Sequence, residues 1–398
     1  MGNTKKSFSC VFLVLVLVCV FSLSSSVQVG VVYASTEVTG ILSSDTWWTK
    51  SGSPYRLTGP ILVDNGVTLI IEPGASVDLN GHYIRVDGTL HAVGSSNDRI
   101  QIYGSDDSYQ KIEFTESSNG WNTTTETGCI IENVVLNSII IFGISDVYPK
   151  INNNAINGGG IDCSAIISNN YIVAGRYTRL IDLRGNGVVT GNTIIYNNTG
   201  SAISGGIGGH ETVISNNTLT GFDFTGTGIS GGDQVYGNVV TGFSTGIHAS
   251  YSHVKNNLVV NNTYGIKTTD LNWIYNNTVA NNTVGIFLDE SEGTVYLKFN
   301  NLMNNTEYNV KATSSCFAVN ATLNWWGTTD TQAINQTIFD FKNDFTVCTV
   351  NFIPFLTEPN PQAPEVPEFP SWIILPMILA LTLTIIVFRK NLAKRIAK

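Results

Sequence analysis

The chain has 398 residues, a formal net charge of -9 and only 13% charged side chains, with 38 glycines. Seven of its 21 Lys and Arg stand at the ends (Lys5, Lys6, Arg389, Lys390, Lys394, Arg395, Lys398), against 30 Asp and Glu. So acidic a middle excludes nucleic acid as a partner. No CxxC, HExxH or EF-hand spacing occurs, so neither a metal site nor a cofactor is expected.

In chain order, Lys5 and Lys6 precede an apolar run from Val11 to Phe21, and Val32-Tyr33-Ala34 offers a small-residue exit. This predicts a secretory signal peptide over 1–34, with an uncleaved membrane anchor as the alternative. Residues 35–128 alternate as strands do, with turn dipeptides at Asn65-Gly66, Asn80-Gly81 and Asp87-Gly88. They read as an N-terminal cap and the first coils of a solenoid.

From 129 to 302 one phrase returns: an aliphatic residue, one or two polar residues, an Asn, then another aliphatic. Ile167-Ser168-Asn169-Asn170-Tyr171-Ile172 and Ile274-Tyr275-Asn276-Asn277-Thr278-Val279 are examples. Its final Asn falls at Asn133, Asn154, Asn170, Asn192, Asn217, Asn238, Asn257, Asn277 and Asn300, roughly every 21 residues. A second phrase, Gly-Ile, comes about ten residues earlier, as at Gly160-Ile161, Gly228-Ile229 and Gly246-Ile247. Three short apolar stretches per repeat, none long enough for a helix, predict an all-β parallel β-helix with three strands per coil. An Asn at one corner of every coil takes the left-handed bend and bonds to the Asn above and below it. Stacked amides satisfy both their donors and their acceptors, so these residues are read as structural.

Residues 303–357 read as C-terminal coils and cap, with Asn324-Trp325-Trp326-Gly327 and a short helix from Ala333 to Phe345. Residues 358–370 carry five prolines and read as a stiff extended spacer. An apolar span over 371–388 then predicts a transmembrane helix, and the basic residues of 389–398 a cytoplasmic tail. The coils would stand outside the cell, anchored by their C-terminus.

The whole plan resembles archaeal cell-surface parallel β-helix proteins of the pectate-lyase-like group. Thr68-Leu69-Ile70-Ile71-Glu72-Pro73-Gly74 is similar to the phrase that opens many such helices, and Asn324-Trp325-Trp326-Gly327 to the tryptophan phrase near their ends. Pro367-Glu368-Phe369-Pro370 with its apolar span and basic tail resembles archaeal sorting tails. The resemblance implies a right-handed coil and a surface location. It leaves activity open, because the group holds lyases, hydrolases, epimerases and adhesins.

Counting back from the ladder places Asp162, Asp182, Arg184, His210 and Glu211 on consecutive coils, with Arg176 and Arg179 beside them. Two acids near an Arg and a His suit general acid–base cleavage of a polysaccharide. The competing reading is that polar residues gather wherever a strand leaves the core. The polygalacturonase phrases and the calcium-binding aspartates of pectate lyases are absent, which favours that second reading. Trp47, Trp48, Trp121 and Trp273 are candidates for sugar stacking, or for cap packing. Nine Asn-x-Ser/Thr sequons occur, with Asn122, Asn281 and Asn335 the expected glycosylation sites. Cys316 and Cys348 are expected to form a disulfide, and Cys129 and Cys163 to stay free. The favoured function is a structural, adhesive or carbohydrate-binding role at the cell envelope, toward an extracellular polysaccharide or envelope component. A polysaccharide lyase or hydrolase is the alternative.

Overall fold

The structure is a computed structural model that describes residues 35–104, 110–143, 147–175, 179–205, 211–289, 295–313 and 319–366. The expected signal peptide, transmembrane helix and basic tail lie outside them. No helix among the described residues is long and apolar enough to cross a membrane.

Among the described residues the named strands pair in parallel, and the chain winds as a β-helix of three strands per coil. The first strands stack into a 14-stranded sheet that runs from Thr46–Trp48 to Val350–Asn351. Second and third strands merge into one 23-stranded sheet. The merger arises because Tyr55–Val63, Thr218–Ser230 and Val239–Ser250 pass the corner between them without a break.

The core follows from alternation. Each third strand turns one Ile or Val inward, and Ile141, Ile161, Ile181, Ile203, Ile229, Ile247 and Ile266 stack rung on rung at no more than 1% exposure. Parallel strands set such rungs about 4.8 Å apart, so identical β-branched side chains nest without voids. The glycine of the Gly-Ile phrase has a steric cause. A Cβ at Gly246 would meet the Gly265 carbonyl oxygen at 2.6 Å, and one at Gly265 would meet that of Gly285 at 2.5 Å.

The asparagine corner divides its work between two residues. The outer one takes the left-handed bend, with φ of 54–56° at Asn153, Asn169, Asn216, Asn256 and Asn276. The inner one, buried, does the bonding. The Oδ1 of Asn192 accepts from the backbone N–H and the Nδ2 of Asn170, both at 2.9 Å, while its own Nδ2 donates to the Ile167 carbonyl at 3.0 Å. The same pattern runs through Asn154, Asn170, Asn217, Asn238, Asn257, Asn277 and Asn300, and ends on Asn324. Asn133 is a correction: at φ 55° it is an outer bend residue, and the inner position in its coil is Val134, whose N–H donates to Asn154. Spacing along the ladder ranges from 16 to 25 residues, because turns on the other corners vary in length.

Two further corners of the C-terminal coils repeat the device. Asn262, Asn282 and Asn305 form a second ladder, each Oδ1 accepting from the residue one coil before it. Asn272 does the same for the N–H of Ser252 at 3.0 Å.

The C-terminal region differs from the sequence reading in two places. The helix is shorter and earlier, Thr331–Gln336, because Asp330 caps it by accepting from the N–H groups of Gln332 and Ala333. Residues 358–366 of the proline-rich stretch do not stand free as a spacer but lie along the outside of the second strands. The N–H of Asn360 donates to Asn301 at 2.8 Å, and its Nδ2 donates to Asn276 at 3.0 Å. Thr278 donates its hydroxyl to the Pro364 carbonyl, and Val366 packs on Leu258, Val260 and Ala280. Alternation fails in these strands, where outward positions are apolar, and the strap covers them.

Candidate functional site: the outer face of the third strands

The residue after each inward Ile of the third strands points outward, so register puts one such side chain on every rung. Pairings run Arg85–Glu113–Phe142–Asp162–Asp182–Ser204–Ser230–His248–Lys267–Phe287–Lys311–Phe339. This axial column brings Asp162 and Asp182 together, with His248 further along it. It begins beside an open pocket of about 330 Å³, lined among others by Ile41, Leu62, Tyr83, Arg85 and Asp87.

Asp162 and Asp182 are direct cross-strand partners, and each is held by an arginine. Arg184 grips Asp162 with both its Nε and its Nη2, the latter at 2.6 Å, and its guanidinium lies 4.9 Å from the Phe142 ring centroid. Arg179 donates to Asp182 at 2.8 Å. The hydrogen bond to each carboxylate raises the pKa of the arginine concerned. Arg184 thus engages both oxygens of Asp162, and Arg179 only one oxygen of Asp182.

Glu211 does not join them. It is exposed on the corner that leads into the first strand Thr212–Ser215, with its N–H donating to Asn186 at 2.8 Å. His210 and Arg176 lie outside the described residues.

Ser204 and Ser230 form a low floor between Asp182 and His248, which are three rungs, about 14 Å, apart. His248 is half-buried, and its Nε2 is sealed from solvent without a hydrogen-bond partner. Burial lowers its pKa, and the Lys267 charge lowers it further, against Asp289 and Asp270. It is therefore a neutral imidazole at neutral pH. Sequence reasoning missed it, although Gly246-Ile247-His248 and Gly160-Ile161-Asp162 carry the same phrase. The residue after Gly-Ile is the outward one.

Beyond His248 the column turns aromatic. Tyr264 and Tyr308 stand on the same strands. The Tyr264 ring lies 4.9 Å from Phe287, tilted 51°, and Tyr308 lies 5.4 Å from Phe339, at 61°. Lys267 sits over Phe287, and Lys311 reaches both Tyr308 and Phe339.

The four tryptophans singled out from the sequence do not form one surface. Trp48 is a correction: it is buried, stacked 5.2 Å from Tyr55 inside an early coil. Trp47 is exposed next to it, and Trp121 lies under Lys150, whose Nζ is 4.8 Å from the ring. Trp273 is the middle of a stack on the first-strand face, 4.4 Å from His253 and 5.9 Å from Tyr296, with interplanar angles of 3° and 5°. Stacked so nearly parallel, Trp273 has both of its faces occupied by its neighbours.

Among the predicted glycosylation sites, Asn122 is exposed and its Oδ1 accepts from the N–H groups of Thr124 and Thr125. Asn281 is an exposed bend residue at φ 57°, and Asn335, half-buried, accepts from Lys342. Asn281-Asn282-Thr283 is a bend residue, a ladder amide and then the next strand's approach. Asn216-Asn217-Thr218, Asn261-Asn262-Thr263, Asn276-Asn277-Thr278 and Asn304-Asn305-Thr306 share that plan, so these sequons follow from the corners. Cys129 and Cys163 are free and buried, while Cys348 is disulfide-bonded and its expected partner Cys316 lies outside the described residues. Among the described residues, no group of three or more His, Cys, Asp or Glu is placed to hold a metal.

No family model and no curated protein matches the chain. Among solved structures, a mutant of the periplasmic alginate epimerase AlgG aligns at 13% identity over 75% of this chain and 77% of that one, with a TM-score of 0.29. A second AlgG mutant aligns at 12% identity over 75% and 74%, with a TM-score of 0.26. Likeness at this level says nothing about what this chain binds or does.

Proposed function

We propose that this protein works outside the cytoplasm as a β-helix that binds an extended polysaccharide along its third-strand face without cleaving it. In this reading the C-terminal tail holds it at the archaeal cell envelope with the coils outside, as the resemblance of that tail implies. The observation that carries the proposal is the unbroken outward column from Arg85 to Phe339, which offers a polar or aromatic side chain on every rung. A line of contacts at about 4.8 Å intervals suits a chain polymer better than a compact ligand. The cleavage machinery is poorly served, because Arg184 and Arg179 occupy the two aspartates.

A second reading, a polysaccharide lyase or hydrolase, is favoured by one observation: Asp162 and Asp182 are cross-strand neighbours. Adjacent carboxylates are the usual tools of glycosidic-bond cleavage. Incubating the purified protein with neutral and acidic polysaccharides, while following both binding and chain length, separates the two. We expect binding with no shortening of the polymer. Shortening that disappears in Asp182→Asn would establish the enzyme instead.

A further inference from the structure

The six charged residues of the outer column are all neutralised locally. Arg85 pairs with Asp87 at 2.9 Å and Glu113 with Lys111 at 3.0 Å. Asp162 pairs with Arg184, and Asp182 with Arg179 at 2.8 Å. Lys267 pairs with Asp289 at 2.7 Å and Lys311 with Glu307 at 3.2 Å. The face thus has charges on half of its rungs and no unmatched charge on any.

This bears on what can lie there. A polyanion would have to displace Asp289 and Glu307 from their lysines and approach a molecule of net charge -9. A neutral, hydroxyl-rich chain needs neither. An ion pair still offers hydrogen bonds: a lysine has three donors and a carboxylate about four acceptor sites, and each pair uses only a part of them. Hydroxyls donate and accept, so they can bond to both halves of a Lys–carboxylate pair without breaking it.

The aromatic end completes the match. A pyranose has an apolar face of C–H bonds that rests on aromatic rings. Rings tilted at 51° and 61° do not lie face to face, so each pair leaves ring face uncovered by its partner, whereas Trp273 is stacked on both sides.

We propose that the stretch from His248 to Phe339 binds a neutral glycan, its sugar faces on Tyr264, Phe287, Tyr308 and Phe339 and its hydroxyls on the Lys267–Asp289 and Lys311–Glu307 pairs. This deepens the polysaccharide-binding reading of the same face and rests on it.

The test uses the full-length protein in binding isotherms with galactomannan, hydroxyethylcellulose and polygalacturonate, at about 0.05 and about 0.5 M salt. The expected result is saturable binding of a neutral polymer that changes less than about twofold between the two salts, since no net charge is screened. Phe287→Ala should weaken it about tenfold, as should Phe287→Leu, which keeps the apolar packing and removes the ring. Trp273→Ala should leave it unchanged. Binding confined to polygalacturonate and lost at high salt overturns the neutral-glycan inference and leaves the polysaccharide reading standing. Neutral binding lost in Trp273→Ala but kept in both Phe287 variants overturns the assignment of the surface. No binding to any of the three polymers overturns the inference together with the reading beneath it.

Discussion

Two columns of side chains run along successive coils at the same spacing, and they could hardly differ more in content. The corner ladder repeats one residue, Asn, from Asn154 to Asn324, and each copy is at most 2% exposed. The third-strand column shows Arg, Glu, Phe, Asp, Ser, His and Lys in turn. The difference is burial. Inside, a polar group must meet a donor with an acceptor on every rung, and the amide is the side chain that offers both at the right length. Outside, water repairs any mismatch, so the residue on each rung is free to serve something else. Uniformity marks the scaffold, and variety marks the surface where function can reside.

That contrast can be broken by experiment, most severely at the ladder. Asn238→Ala leaves the Asn217 N–H and the Ile214 carbonyl without their partners, and should cost about 3 kcal/mol in urea unfolding. Ser230→Ala on the outer column should stay within about 0.5 kcal/mol. Equal costs at the two sites would sink the distinction between them. A smaller effect is expected from the strap: ending the chain at Thr357 bares Leu258, Val260 and Ala280 and should lower stability by about 2 kcal/mol, read from thermal unfolding.

The smallest concerns His248, the one titrating group on the column with its nitrogen sealed. Its folded pKa lies below the ordinary 6.5, so on acidification the unfolded chain takes up the proton first. Stability should therefore be full above pH 6.5 and decline as pH falls below it, levelling once the folded form is protonated as well. His248→Gln should remove that part of the slope. An unchanged slope would mean that the imidazole is more open to solvent than the fold implies.

Much of this was legible from residues alone, for reasons tied to repetition. The Asn phrase revealed coil, strand number and ladder because a buried amide tolerates no substitute on its neighbours' rungs. Asn133 misled because bend and bonding residues are both asparagine in so many coils, and only φ and hydrogen bonding tell them apart. Asn262, Asn282 and Asn305 were visible as Asn-Asn doublets but not as a ladder, since three rungs are too few to show a period. Trp48 looked like its exposed neighbour Trp47, and alternation alone decides that one turns inward. His248 stands nine residues before Asn257, much as Asp162 stands eight before Asn170, and the Gly-Ile phrase just before it marks the same outward slot.

The sequence by itself determined that the chain coils, that Ile and Val fill the coil and that Asn holds one corner. These are local, periodic demands, and each repeat states them again. Only the tertiary structure decided which outward residues become neighbours, that Asp162 and Asp182 are both taken by arginines, and that residues 358–366 fold back over Leu258 and Val260. Those contacts join residues whose separation depends on the length of every turn between them, and no local pattern encodes that sum.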